Sequence, residues 1–202
     1  MAGPTRAFWQ QRFESATTPW DRGEPGPQLI AWLGNAIEPG QRIVVPGCGS
    51  GWDVAALAQF GAKVTAIDYA PAAVERTRAL LHAHGLSAEV IDADVLLWSP
   101  PQPVDAVYEQ TCLCALHPDQ WIAYADQLHR WLKPDGKLLA MFMQKPRPEG
   151  AQGFISGPPY HCDINAMRAL FPSDRWEWPS PPYRGSPHAI GAIELGVVLR
   201  RR

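Results

Sequence analysis

What this chain lacks narrows the field first. No apolar run approaches the roughly 20 residues a helix needs to cross a bilayer, and Met1 to Phe13 hold no apolar leader core, so a soluble, cytoplasmic protein is expected. Basic residues gather nowhere except in the closing Arg200-Arg201-Arg202, and the net charge is −2, which speaks against nucleic acid or an acidic membrane as partner. The cysteines are only four, Cys48, Cys112, Cys114 and Cys162, and none stands in a C-x-x-C pair. That supplies neither a disulfide framework nor zinc-ligand spacing, so no metal is expected and a reducing compartment is.

Proline and tryptophan, by contrast, are plentiful, with 21 and nine among 202 residues. Pro100-Pro101, Pro158-Pro159 and Pro181-Pro182 stiffen connections. Most tryptophans belong to a core, while a few of those at 9, 20, 32, 52 and 98 are placed to meet a cationic ligand.

The length suits one α/β domain, 1–202, and the patterning divides it into three parts: an N-terminal helical lid 1–38, a cofactor half 39–144 and a substrate-side half 145–202. Thr5 can cap a helix carrying Trp9 and Phe13, and Pro27 starts a second helix that runs through Ile37. Then strands at 42–46, 63–68, 88–92, 104–109 and 136–143 alternate with helices at 52–60, 71–84 and 118–133. Pro71 and Pro118 mark helix starts, and Gly61, Gly85 and Pro134-Asp135-Gly136 mark stops. A helix at 163–171 and strands near 174–178 and 190–199 close the chain as a hairpin-like pair. The expectation is a Rossmann-like, seven-stranded, mostly parallel sheet with helices on both faces.

Chemistry concentrates where Ile43-Val44-Val45-Pro46 breaks into Gly47-Cys48-Gly49-Ser50-Gly51 and opens a helix at Trp52. Glycines are needed where a ligand lies against bare backbone. The next strand ends on Asp68, an acid suited to the two hydroxyls of a ribose. Trp52 stands where a dinucleotide fingerprint needs its third glycine, which disfavours NAD. The other strand ends carry Tyr69, Asp92 to Val95, Glu109-Gln110 and Gln144, without the lysine or arginine that would cradle a phosphate. S-adenosylmethionine (SAM) is the nucleoside cofactor that fits, with S-adenosylhomocysteine (SAH) as its product.

These segments resemble one family. Trp20-Asp21-Arg22-Gly23, Val45 to Asp53, Leu132 to Gly136, Gly157-Pro158-Pro159-Tyr160 and Pro187-His188-Ala189-Ile190 are similar to the thiopurine S-methyltransferase superfamily, most closely its thiol/halide methyltransferase branch. The resemblance implies a class I methyltransferase fold and a cofactor site of Trp9, Phe13, Trp20, Gly47, Gly49, Asp68, Tyr69, Asp94, Val95 and Glu109 with Gln110. The thiopurine enzymes look to have an arginine where Gln110 stands, which moves the expected acceptor towards a small thiol, thiocyanate or halide. A thiopurine or a tellurite or selenite acceptor, and a non-catalytic SAM-binding module, stay open beside it.

Soft nucleophiles arrive anionic or nearly so and need no strong base, and none is evident among the residues. Tyr160 is the expected catalytic residue, orienting the nucleophile through its phenol. An amine or DNA methyltransferase would carry an Asp/Asn-Pro-Pro-aromatic motif where Glu109-Gln110-Thr111-Cys112 stands. The substrate is expected to be a small molecule and the protein a monomer.

Overall fold

The structure, a computed structural model, describes residues 3–202. Met1 and Ala2, with which the lid segment begins, lie outside the described residues.

Strands β1 (Arg42–Pro46), β2 (Lys63–Asp68), β3 (Glu89–Asp92), β4 (Val104–Gln110) and β5 (Leu132–Gln144) form the parallel part of the sheet. The order is β3-β2-β1-β4-β5, followed by the antiparallel β8 (Ile193–Arg201). The two-residue period of a strand decides which layer each side chain enters. On β1, Val44 joins one apolar layer while Ile43 and Val45 join the other; on β5, Leu138, Ala140 and Phe142 oppose Leu139 and Met141. Helices α5 (Trp121–Trp131) and α6 (Ile164–Leu170) cover the first layer. The second is covered by α2 (Pro27–Trp32), α3 (Trp52–Gln59) and α4 (Pro71–Ala83). Burial on both faces is why these strands read as continuous apolar runs.

The sheet has eight strands rather than the expected seven, and the difference lies at its outer edge. Both β6 (Trp176–Glu177) and β7 (Arg184–Pro187) pair with β8 on the side away from β5. Trp176 lies opposite Arg201, and Arg184 lies opposite Gly196. One strand position is thus filled by two short segments with the proline-rich stretch between them looped out, since proline cannot donate to a ladder.

Two helices are shorter than their apolar pattern suggests. α2 ends at Trp32 because Gly34, at φ +77°, turns the chain, and Ile37 is buried from a bend instead of a helix. Residues Pro118–Gln120 form a 3-10 turn ahead of α5, and Leu132 already pairs with Val104. The lid helix α1 (Arg6–Glu14) starts where Thr5 Oγ1 accepts the Phe8 N–H at 3.2 Å. Among the described residues no helix is long and apolar enough to cross a membrane.

Candidate active site

β1 has a neighbour on each side whose connections leave in opposite directions, β2 and β4, so a crevice opens beyond its carboxyl end. A cavity of about 500 Å³ occupies that place. Its floor is the glycine turn. A Cβ on Gly47, at φ +61°, would fall 3.0 Å from the Cys112 side chain, and one on Gly51 would fall 2.8 Å from Thr77 Oγ1. The Thr77 hydroxyl donates to the Gly49 carbonyl at 2.9 Å and fastens α4 to the turn.

Asp68 closes this floor. Its Oδ2 accepts the Gly49 N–H at 3.0 Å and its Oδ1 accepts the Ala70 N–H at 2.9 Å. Burial outweighs these bonds and raises its pKa to about 6. An ionised carboxylate offers about four lone-pair positions, so two bonds leave acceptor capacity for ribose hydroxyls.

The N-terminal segment forms the roof. Trp9 and Trp20 meet edge to face with centroids 5.5 Å apart, and Phe13 meets Trp20 at 6.1 Å. Phe13, Ala70 and Ala73 form the small apolar cluster on which these tryptophans rest. Tyr69, Asp94 and Val95 line the cavity as well, so nine of the ten residues expected to bind cofactor converge here, Trp9, Phe13, Trp20, Gly47, Gly49 and Asp68 being the others. Asp94 Oδ1 accepts the Leu96 N–H at 2.8 Å, which holds the turn after β3.

Glu109 is the exception. Alternation along β4 turns it away from Gln110 and into the layer under α5, where its Oε1 accepts the Leu113 N–H at 2.7 Å. It is 1% exposed, and burial raises its pKa to about 7. Tyr160 does not reach the cavity wall either. Its N–H donates to the Cys114 carbonyl at 2.7 Å and its ring packs edge-on against His117, so it anchors the loop whose Pro158 and Pro159 do line the wall. Its backbone N–H and ring thus tie the acceptor-side loop to the segment after β4.

That side is built from Cys112, Cys114, Met143, Pro158 and Ile190, with His188 at its margin. Burial drives both thiol pKa values far up. Burial first, then Arg22 and Lys145, push His188 down to about 4. Thr111, at φ +63° just past β4, was not anticipated; a β-branched residue in that region is rare, and no composition signal reveals it.

A polar recess of about 80 Å³ adjoins the cavity, sharing Trp20, Gly47, Gly49, Thr111 and His188 with it. Its walls include Arg22, Asp53 and Gln110. Tyr108 donates to Gln110 Oε1 at 2.6 Å, and Gln110 Nε2 donates to Glu194 Oε2 at 3.0 Å. Arg22 lies 4.0 Å from Glu194 and donates through Nη2 to the Pro187 carbonyl. Burial raises Asp53 to about 6 and Glu194 to about 8, despite the nearby guanidinium. Arg22 Nε is buried without a partner among the described residues.

Comparison with known proteins gives the same picture. The family model described as thiopurine S-methyltransferase matches residues 4–180. The chain is 30% identical over 169 residues to probable thiol methyltransferase 2 of Arabidopsis thaliana, covering 82% of this chain and 71% of that one. It is 28% identical over 167 residues to thiocyanate methyltransferase 1 of the same plant, covering 80% and 70%. Among solved structures, Burkholderia thailandensis 1,6-didemethyltoxoflavin-N1-methyltransferase with bound SAH shares the fold, with a TM-score of 0.76, 17% identity and coverage of 100% of this chain and 93% of that one.

Proposed function

We propose, since the chain belongs to the thiopurine S-methyltransferase family and is a SAM-dependent methyltransferase, that its acceptor is a small soft nucleophile: a thiol, thiocyanate or a halide. The chemistry of the acceptor wall carries this. Its thiols are pushed far above neutrality and its imidazole far below, so no group there is matched to take a proton at pH 7. A hard, protonated acceptor would lack the roughly 10²–10⁴-fold that a base contributes. An anion needs only alignment and a dry site. The names of the plant thiol and thiocyanate methyltransferases support the same class.

The residues present fit the cofactor. Asp68 keeps lone pairs for the ribose, Gly47 and Gly49 line the cavity floor, and Tyr69, Asp94 and Val95 would flank an adenine. In the recess, Arg22 would supply the cation for the carboxylate of the methionine end. When bound, SAM supplies an electrophilic methyl group on a sulfonium. Trp20, at the join of cavity and recess, offers an aromatic face to that cation and with Trp9 and Phe13 excludes water. Glu109 acts behind the wall, holding the turn after β4.

On this reading 1–202 work as one methyltransferase domain with 1–38 as lid, and as a monomer acting on a small molecule. Net charge −2 supports independence from nucleic acid and membrane, and four free thiols support the cytoplasm. A turnover screen with SAM against a small thiol, thiocyanate, iodide, a thiopurine and an amine tests the acceptor. Soft anions are expected to lead, and an amine as the best acceptor would refute the proposal.

A further inference from the structure

His188 stands where the cavity meets the recess, and it is held on three sides. Its N–H donates to the Ala192 carbonyl at 2.8 Å, and its Nδ1 accepts the Ile190 N–H at 3.2 Å. Arg22 grips the carbonyl of the preceding Pro187. Because Nδ1 is spent as an acceptor, the ring carries its proton on Nε2. Among the described residues no protein group accepts from that N–H, and the residue is only 5% exposed. Because His188 lines both the cavity and the recess, a molecule bound there can take up that N–H.

The charges around it favour an anion there. The charges of Arg22 from the lid loop and Lys145 after β5 both reach the ring and, after burial, depress its pKa. Glu194 on β8 lies 4.0 Å from Arg22, and burial raises its pKa to about 8, which weakens its offset of that charge. Burial is the larger cause of the neutral imidazole and the two cations add to it; those same two charges draw a negative ligand.

We propose that the Nε2–H of His188 is the acceptor-recognition donor of this enzyme, binding a small polarisable anion such as thiocyanate, iodide or a thiolate beside the reacting methyl group. The proposal rests on the soft-nucleophile reading above and names the residue that enforces it. An electron pair on the anion forms the new bond to the methyl carbon, while the carbon–sulfonium bond breaks and its pair returns to sulfur. No proton moves, so His188 acts as a donor from start to finish and never as a base.

The test uses thiocyanate as probe with the wild type, His188→Leu and His188→Gln. One readout is steady-state turnover with SAM; the other is calorimetric binding of thiocyanate to the SAH-saturated protein. His188→Leu is expected to raise both KM and Kd for thiocyanate by about tenfold or more, as the loss of a hydrogen bond to a charged partner should. SAH affinity should stay within about twofold, and His188→Gln, which restores an N–H, should recover most of the loss. Unchanged thiocyanate affinity in His188→Leu would overturn the proposal, as would an equal loss of SAH affinity. If the wild type binds thiocyanate through His188 but methylates none, the soft-nucleophile reading fails while the anion site stands.

Discussion

Arg6 on α1 meets Asp92 at the carboxyl end of β3 through one nitrogen, Nη2 lying 2.7 and 2.6 Å from the two carboxylate oxygens. It is one of a few polar ties that hold the lid down. Tyr69 donates to the Pro4 carbonyl at 3.3 Å, Gln10 Oε1 accepts the Ala72 N–H at 2.9 Å, and Arg76 donates to the Phe13 carbonyl. Only Phe13 of α1 is buried, so the roof is attached by contacts that part without unfolding the sheet.

Arg6→Ala is therefore expected to change release more than stability. Both partners are substantially exposed, and such pairs are worth up to about 1 kcal/mol. SAH dissociation followed by stopped-flow fluorescence should speed up by about two- to fivefold, with the melting temperature almost unmoved. An unchanged dissociation rate would mean that this pair does not govern the lid.

Trp20→Ala should act on both binding and rate. The ring joins Trp9 and Phe13 in the roof and touches the recess, so its removal admits water and takes an aromatic face from the cation. A loss of about 0.5–2 kcal/mol of SAM affinity is expected, and SAH, which carries no sulfonium, should lose less. Equal losses for the two ligands would assign Trp20 to packing alone.

Much of this was legible in the residues, for a physical reason. The strands β1 and β2 fall on the apolar runs because both faces are buried, with Gly47 directly after β1 and Pro71 three residues after β2. The glycine turn and Asp68 follow from backbone and ribose chemistry that few other residues serve. Face and edge were harder. Position alone places Glu109 at a strand tip, yet alternation decides that Gln110, not Glu109, joins the recess. Arg184-Gly185-Ser186-Pro187 has little strand propensity and pairs only because β8 presents a free edge. The recess network joins residues 22, 53, 110 and 194, a separation that spacing cannot reveal.

Cofactor affinity should weaken in acid through Asp68. The carboxylate accepts ribose hydroxyls only when ionised, and its pKa in the free protein is about 6. Calorimetric SAH affinity is expected to be level above that value and to fall as the pH drops through it, by up to about tenfold per unit. Asp68→Asn should be at least about tenfold weaker at pH 8 and should lose the acid limb. A variant that keeps that limb would place the titration elsewhere, with Asp53 in the recess the next candidate.

Stability should run the other way. Asp53, Asp68, Glu109 and Glu194 all have pKa values raised by burial, to about 6, 6, 7 and 8. Between their unfolded and folded values the native state holds more protons than the unfolded state, so stability falls as pH rises through that window. The melting temperature of the ligand-free protein is expected to decline from pH 5 to pH 8. Glu194→Gln keeps the Gln110 contact in shape without a charge to bury, and should flatten the upper part of the decline. A wild-type melting temperature that climbs over that range would refute the assignment.

Tyr160 gives the sharpest contrast between support and chemistry. Its backbone N–H and the edge contact with His117 both survive in Tyr160→Phe, since neither uses the hydroxyl. Turnover should stay within about twofold, because losing one phenol that makes no buried bond costs little. Gly157→Ala should do more harm. A Cβ there would sit 2.5 Å from Tyr160 Cδ1 and 2.7 Å from Cγ, so ring or loop must shift. That displacement carries Pro158 and Pro159 with it, and both line the acceptor wall. Steady-state kinetics with a soft anion should thus rank Gly157→Ala well below Tyr160→Phe. A tenfold loss in Tyr160→Phe with Gly157→Ala unharmed would return the phenol to the acceptor.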